Sequence, residues 1–135
     1  MKKEEFLKIV DSLELDPEKY YIYSGGSLLI RGIREETGDV DLRVSEEYFE
    51  ELKKRFTFTQ GEYSDLFILS EDVEFTVGGF NKNNSEMYEG YPIETLDAII
   101  KWKMEHSRPK DLRDIELIKK FLEKNNWRKS YGRNL

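Results

Sequence analysis

The chain contains no cysteine among its 135 residues and a single histidine. The first absence removes disulfides, thiolate metal sites and a cysteine nucleophile, and it is compatible with a reducing compartment. The second removes any histidine metal cluster or histidine-based triad, so His106 reads as a helix-end residue. No run approaches the ~18 apolar residues of a membrane span, and the opening Met-Lys-Lys-Glu-Glu has no apolar stretch behind it. A cytoplasmic location is the expectation. Basic charge is in deficit as well: 28 acidic residues stand against 22 basic ones, a net charge of −6. A sequence-independent grip on phosphate backbones needs a basic surface, so broad nucleic-acid or acidic-membrane binding is disfavoured. Repeats, low-complexity tracts and linkers are also missing, which predicts one domain over residues 1–135. Aromatic residues, by contrast, are plentiful: eight Phe, eight Tyr and two Trp are spread along the chain. At this length they suffice for one genuine core.

The periodicities predict an α+β fold, a small mixed sheet flanked by helices. Phe6, Ile9, Val10 and Leu13 recur at i, i+3, i+4, i+7 and predict an amphipathic helix ending near Asp16-Pro17. "YYIYSGG", Tyr20 to Gly26, reads as a strand entering a glycine turn, with a short helix over Ser27 to Gly32. "DVDLRV" alternates strictly and reads as a strand, after which Ser45 is placed to cap a helix through Arg55. "RFTFTQ", "DLFILS" and "VEFTV" read as further strands. Residues 81–90, rich in Asn, Gly and Ser, read as a surface loop. Two helices, roughly Glu94 to His106 and Lys110 to Asn125, end the pattern.

Within "DVDLRV" two acids interrupt an apolar run. Alternate residues of a strand share a face about 6.5–7 Å apart, so Val40, Leu42 and Val44 point one way and Asp39, Asp41 and Arg43 the other. "VEFTV" repeats the device, with Val73, Phe75 and Val77 opposite Glu74 and Thr76. If the two strands are neighbours, Asp39, Asp41 and Glu74 converge, and three carboxylates make a hard oxygen site suited to Mg²⁺. Taken alone, such a pair of acids more often just solvates the open face of a sheet. An EF-hand would use Asp39, Asp41 and Glu50, but Val44 stands where the sharp turn needs glycine, and Arg43 intrudes among the ligands. Asp72 competes with Glu74 for the third position. Upstream, Gly25, Gly26 and Ser27 form a turn whose backbone N–H groups suit a phosphate.

Gly-Ser, about ten residues, Asp-hydrophobic-Asp, then a later strand bearing a third carboxylate: this order resembles the nucleotidyltransferase superfamily of the DNA polymerase β type. The resemblance implies that Gly26 and Ser27 hold the phosphates of a nucleoside triphosphate such as ATP. It implies further that Asp39 and Asp41 hold Mg²⁺, and that Glu74 is the third acid, binding metal or deprotonating the acceptor.

The C-terminal segment carries a second signal. Leu96, Ile99 and Ile100 span one apolar face of a helix, and Lys103 falls in its middle. On the last helix Leu112, Ile115, Ile118 and Leu122 mark the expected inner face, with Asp111 and Asp114 in the same arc. A buried ion pair between Lys103 and these aspartates, or contact of Lys103 with the triphosphate, accounts for the charges; both can hold. The spacing Lys103-x4-Arg108-x-Lys110-Asp111-x2-Asp114 also resembles the AbiEii-like and lincosamide-type branches, which often read K-L-x-A…R-x-K-D-L-x-D. That likeness implies nucleotide binding by Lys103, Arg108 and Asp111.

Together these features predict transfer of a nucleoside monophosphate from an NTP to an acceptor, with pyrophosphate released. The acceptor is left open among a small molecule, a protein and tRNA. The alternative is a nucleotide-binding module without chemistry, or one subunit of a two-protein, toxin–antitoxin-like assembly; a homodimer is equally compatible. Arg31 and Arg34 read as exposed helix arginines, with phosphate contact as the alternative. Trp102 and Trp127 read as packing residues. The basic close "NNWRKSYGRNL" reads as a frayed tail.

Overall fold

Phe6 and Val10, one helical turn apart, are buried on the inner side of α1 (Lys3–Ser12), and Leu13 follows them at its C-terminal cap. The computed structural model describes backbone for residues 1–131 and side chains for residues 1–125. Trp127 and most of the basic tail therefore lie outside the described side chains.

Two compact units make up the chain, one spanning Met1–Thr95 and a helical one beginning at Leu96. The first holds a seven-stranded mixed sheet. In chain order its strands are β1 (Tyr20–Ile22), β2 (Val40–Val44), β3 (Thr59–Gln60), β4 (Leu66–Ser70), β5 (Val73–Val77), β6 (Ser85–Tyr88) and β7 (Tyr91–Glu94). Across the sheet the order is β3-β4-β5-β2-β1-β7-β6. β2 pairs in parallel with β5 and antiparallel with β1, which in turn lies parallel to β7. The expected α+β class with a small mixed sheet is the observed one.

Strict alternation sets the two faces of β2, the middle strand of the sheet. Val40, Leu42 and Val44 are buried while Asp41 and Arg43 are half-buried on the opposite face. The core beneath the apolar face gathers Phe6 and Val10 from α1, Ile22 from β1, Leu29 and Ile30 from α2 (Gly25–Ile30), and Phe49 and Leu52 from α3 (Glu46–Leu52). Ser45 caps α3 as its position suggests, its Oγ accepting the Tyr48 amide at 3.1 Å.

Two expectations for the sheet need correction. Of "RFTFTQ", only Thr59 and Gln60 pair as a strand. Phe58 leaves the ladder and packs against Phe49 and Phe75, with ring centroids at 4.8 and 5.3 Å, so aromatic packing overrides strand propensity there. Residues 81–90 are not a plain loop either. They hold a 3₁₀ turn at Lys82–Asn84 and the edge strand β6, which returns through Glu89 and Gly90 to β7. Both turn residues have positive φ, 50° and 89°, the geometry of a tight hairpin. The exposed sequence of β6 lacks an apolar period, which hid it.

The second unit contains α4 (Leu96–His106) and α5 (Pro109–Tyr131). On α4, Ile99 and Lys103 are buried as expected. On α5 the expected inner face is displaced. Leu112 and Leu122 are 53% and 38% exposed, whereas Asp111, Asp114, Ile115 and Ile118 are buried at i, i+3, i+4, i+7. Among the described residues, no helix is long and apolar enough to cross a membrane.

Candidate active site

The parallel register of β2 and β5 puts Asp41 directly opposite Glu74, and Arg43 opposite Thr76. Neighbouring strands lie about 4.8 Å apart, so two carboxylates share one face at close range. Asp41 shows the consequence: its carboxyl is pushed up to about 7. Burial is the main cause, followed by the charge of Glu74, a hydrogen bond with Glu74, and the charge of Asp39. Asp72 is not among the groups that act on Asp41, and its carbonyl instead accepts the Val40 amide at 2.7 Å. The carboxylate standing against the Asp39–Asp41 pair is therefore Glu74.

The sign of the resulting pH dependence follows directly. Folded Asp41 keeps a proton that the unfolded chain, with an ordinary carboxyl near 3.8, gives up earlier. Stability therefore falls as pH rises from about 4 to about 7, by an amount on the order of a few kcal/mol. Urea unfolding of the wild type at pH 5 and pH 7 should show this loss, and Asp41→Asn should flatten it.

Chemically the three acids fit a hard divalent cation: the donors are all oxygens, and the burial and neighbouring charges that push the Asp41 carboxyl up are what a cation would offset. As they stand, no three His, Cys, Asp or Glu among the described residues are gathered as a metal-ion group. The observed arrangement is a hydrogen-bonded Asp41–Glu74 pair with Asp39 acting on it as a nearby charge.

The glycine turn opens beside this pair, because the Tyr23 amide donates to the Asp41 carbonyl at 2.9 Å and ties the end of β1 to β2. The two glycines of this turn do not supply its unusual backbone angles. Positive φ falls on Ser24, at φ 53° and ψ −119°, not on either glycine. Gly26 is needed for close approach: a Cβ there would meet Phe6 at 2.5 Å and Ile22 at 2.7 Å. Gly26→Ala should accordingly destabilise the fold by about 1–3 kcal/mol, measured by chemical denaturation. Gly25 faces the Arg34 guanidinium and the Thr37 hydroxyl. Sequence reasoning passed over Thr37, whose proximity only the chain path between α2 and β2 creates.

Ser27 is fully buried, and its hydroxyl donates to the Glu94 carbonyl at 2.7 Å while accepting from Arg31. Arg31 is buried too, not exposed, and its guanidinium is paired with Glu86 of β6. On the open face beyond Asp41, Arg43 lies over the Tyr23 ring at 4.5 Å and donates to the Gly78 carbonyl at 3.3 Å, while its buried Nε has no partner. Gly79, at φ +64°, lets the backbone pass against that guanidinium, where any Cβ would clash.

In the helical unit, Lys103 Nζ lies 2.9 Å from Asp114 and 3.5 Å from Asp111. Arg108 grips Asp111 at 2.7 and 3.1 Å through its side chain and donates its own amide at 3.1 Å. These bonds hold the Asp111 carboxyl well below the usual carboxylate range. Trp102 underlies the cluster, with Arg108 5.1 Å from its ring and His106 stacked at 3.7 Å. The expected ion pair is thus present, and His106 sits at the helix end as its isolation suggested.

No protein-family model matches the chain, and no curated protein matches it by sequence. A solved structure does match in fold. It is the crystal structure of a "putative nucleotidyltransferase" from Thermotoga maritima, 16% identical, with a TM-score of 0.56. The match covers 92% of this chain and 96% of the other. The two chains share an α+β fold over nearly their whole lengths. At this identity the likeness concerns architecture and does not select the AbiEii-like or lincosamide-type branch.

Proposed function

We propose that the chain is a nucleotidyltransferase, moving a nucleoside monophosphate from an NTP to a hydroxyl or phosphate acceptor with release of pyrophosphate. The observation that carries this reading is the side-by-side placement of Asp41 and Glu74 on parallel strands, under the influence of Asp39. A half-buried acid pair repelling itself beside a glycine turn makes poor sense as packing and good sense as a polyphosphate and cation locus. The fold likeness to the Thermotoga protein supports the same class.

Asp39, Asp41 and Glu74 would hold Mg²⁺, which when bound would supply positive charge to balance the triphosphate and its leaving group. Glu74 has a second role open to it, accepting the acceptor's proton as general base. Gly26 and Ser27 belong to the turn that would carry the phosphates, Ser27 as part of its frame, because its hydroxyl donates to the Glu94 carbonyl and its amide to the Ser24 carbonyl. Lys103, Arg108 and Asp111 are assigned to the nucleotide on the motif resemblance. A small molecule or a protein suits the chain's acidic balance as acceptor better than tRNA.

A second reading is a module that keeps nucleotide and metal but has no chemistry. One experiment separates the two. The protein is incubated with α-labelled NTPs and Mg²⁺, alone and with small-molecule, protein and tRNA acceptors, and both label transfer and pyrophosphate are followed. Transfer establishes the enzyme; nucleotide binding without transfer or pyrophosphate across all acceptors establishes the module. A protein that binds no NTP at all refutes both.

A further inference from the structure

We infer that Glu94, at the end of β7, is a positioning residue that sets the geometry of the phosphate-facing turn. The inference rests on the nucleotidyltransferase reading; the phosphate grip itself belongs to that reading, and the new element is what holds the turn in shape.

Ser24 occupies φ 53° and ψ −119°, a region that disfavours any residue with a Cβ and is held only where surroundings impose it. Its own side chain makes no capping bond. What imposes the conformation is Glu94, whose carboxylate Oε1 accepts the Ser24 amide at 2.8 Å. The same residue acts a second time through its backbone, its carbonyl accepting the Ser27 hydroxyl at 2.7 Å. Glu94 therefore grips the chain on both sides of Gly25-Gly26, and the two glycines are bracketed by one residue of the neighbouring strand. Behind this bracket Arg31 binds the Ser27 hydroxyl and is anchored on Glu86, the residue paired with Ile93 across the β6–β7 hairpin.

A carboxylate at a buried strand end, 6% exposed, needs a reason to be there. Packing alone would be served by an apolar residue, as at Ile93 beside it. An acceptor for a strained backbone amide supplies the reason, and it explains why the hairpin that the sequence concealed matters to the site. Released from Glu94, Ser24 would relax toward ordinary φ, and the turn that follows it would change shape.

The test compares the wild type with Glu94→Ala, Glu94→Met and Glu94→Gln. Met keeps the bulk without the acceptor and serves if Ala does not fold; Gln keeps an acceptor oxygen. The probe is inorganic tripolyphosphate with Mg²⁺, titrated calorimetrically, which removes any dependence on the nucleobase. Ala and Met should weaken tripolyphosphate binding about tenfold or more, as expected for losing a hydrogen bond to a charged acceptor, while Gln restores most of it. Exchange of the Ser24 amide should accelerate in Ala and Met and stay slow in Gln. Affinity for Mn²⁺ alone, read by relaxation, should not change in any of them. If the wild type binds no tripolyphosphate, the functional reading fails and takes the inference with it. If the wild type binds and the Met variant binds equally well, the inference alone is overturned. Equal weakening in Gln and Met, with both folded, overturns it too, because charge and not the acceptor for Ser24 would then be responsible.

Discussion

Asp41→Asn should abolish transfer while making the protein more stable at pH 7. Turnover should fall by about three orders of magnitude or more, equivalent to ~4 kcal/mol of barrier, because the substituted group loses its negative charge where a cation and triphosphate must be balanced. Stability should move the other way. In the wild type the Asp41 carboxyl is pushed up to about 7 by burial and by Glu74 and Asp39, so at neutral pH its ionised form is disfavoured by the fold. An amide of the same shape can donate to Glu74 and carries no charge to repel. The two effects together are diagnostic: groups placed for function commonly oppose stability, whereas groups placed for packing do not. Initial rates from labelled NTP and urea midpoints at pH 7 give both numbers. An Asn variant that keeps more than about a tenth of wild-type turnover would remove Asp41 from the site.

Lys103→Met should destabilise the helical unit by about 3–5 kcal/mol, the range for breaking a buried ion pair by deleting one partner. The lysine side chain is 7% exposed and sits between Asp114 at 2.9 Å and Asp111 at 3.5 Å, themselves almost wholly buried. Methionine matches its length and removes the cation, which leaves buried carboxylates with less compensation. Converting Asp114 to leucine in the same background should recover much of the loss, because an apolar pair of similar volume needs no counter-charge. Denaturant unfolding of the single and double variants measures this coupling. A loss under about 1 kcal/mol would mean that the pair behaves like a surface salt bridge. Acid should leave the Arg108–Asp111 contact in place: the Asp111 carboxyl is held below the usual range by Arg108, so its contribution is lost only as pH falls through that lowered value. Asp41 and Asp111 thus pull stability in opposite directions with pH.

The contrast between these two sites also shows what was legible beforehand. Alternation in "DVDLRV" and "VEFTV" placed the acids on one face of each strand from sequence alone, because a strand's period of two allows no other outcome once the valines are buried. Lys103 and the two aspartates were legible in the same way from the helical period, although Leu112 and Leu122 competed for the inner face and lost it to Asp111 and Asp114. Asp111 and Asp114 share that face with Ile115 and Ile118, and both reach Lys103 of α4.

Harder to read were the elements that depend on pairing with something distant. Strand β6 is exposed and without period, and only its hairpin return to β7 makes it a strand. Glu94 carries no motif, and Arg31 looked like a surface residue until β6 was placed beside it.

By itself, then, the sequence determined the α+β class, the inward and outward faces of β2 and β5, and the three acids worth watching. Tertiary structure decided which acids meet, through the parallel register of β2 and β5, and which residue holds the turn, through a β7 that arrives 70 positions later to accept the Ser24 amide. Periodicity is a local property of the chain, and it fixes direction; register and strand order are long-range, set by which apolar faces and backbone edges close on one another, and they fix proximity.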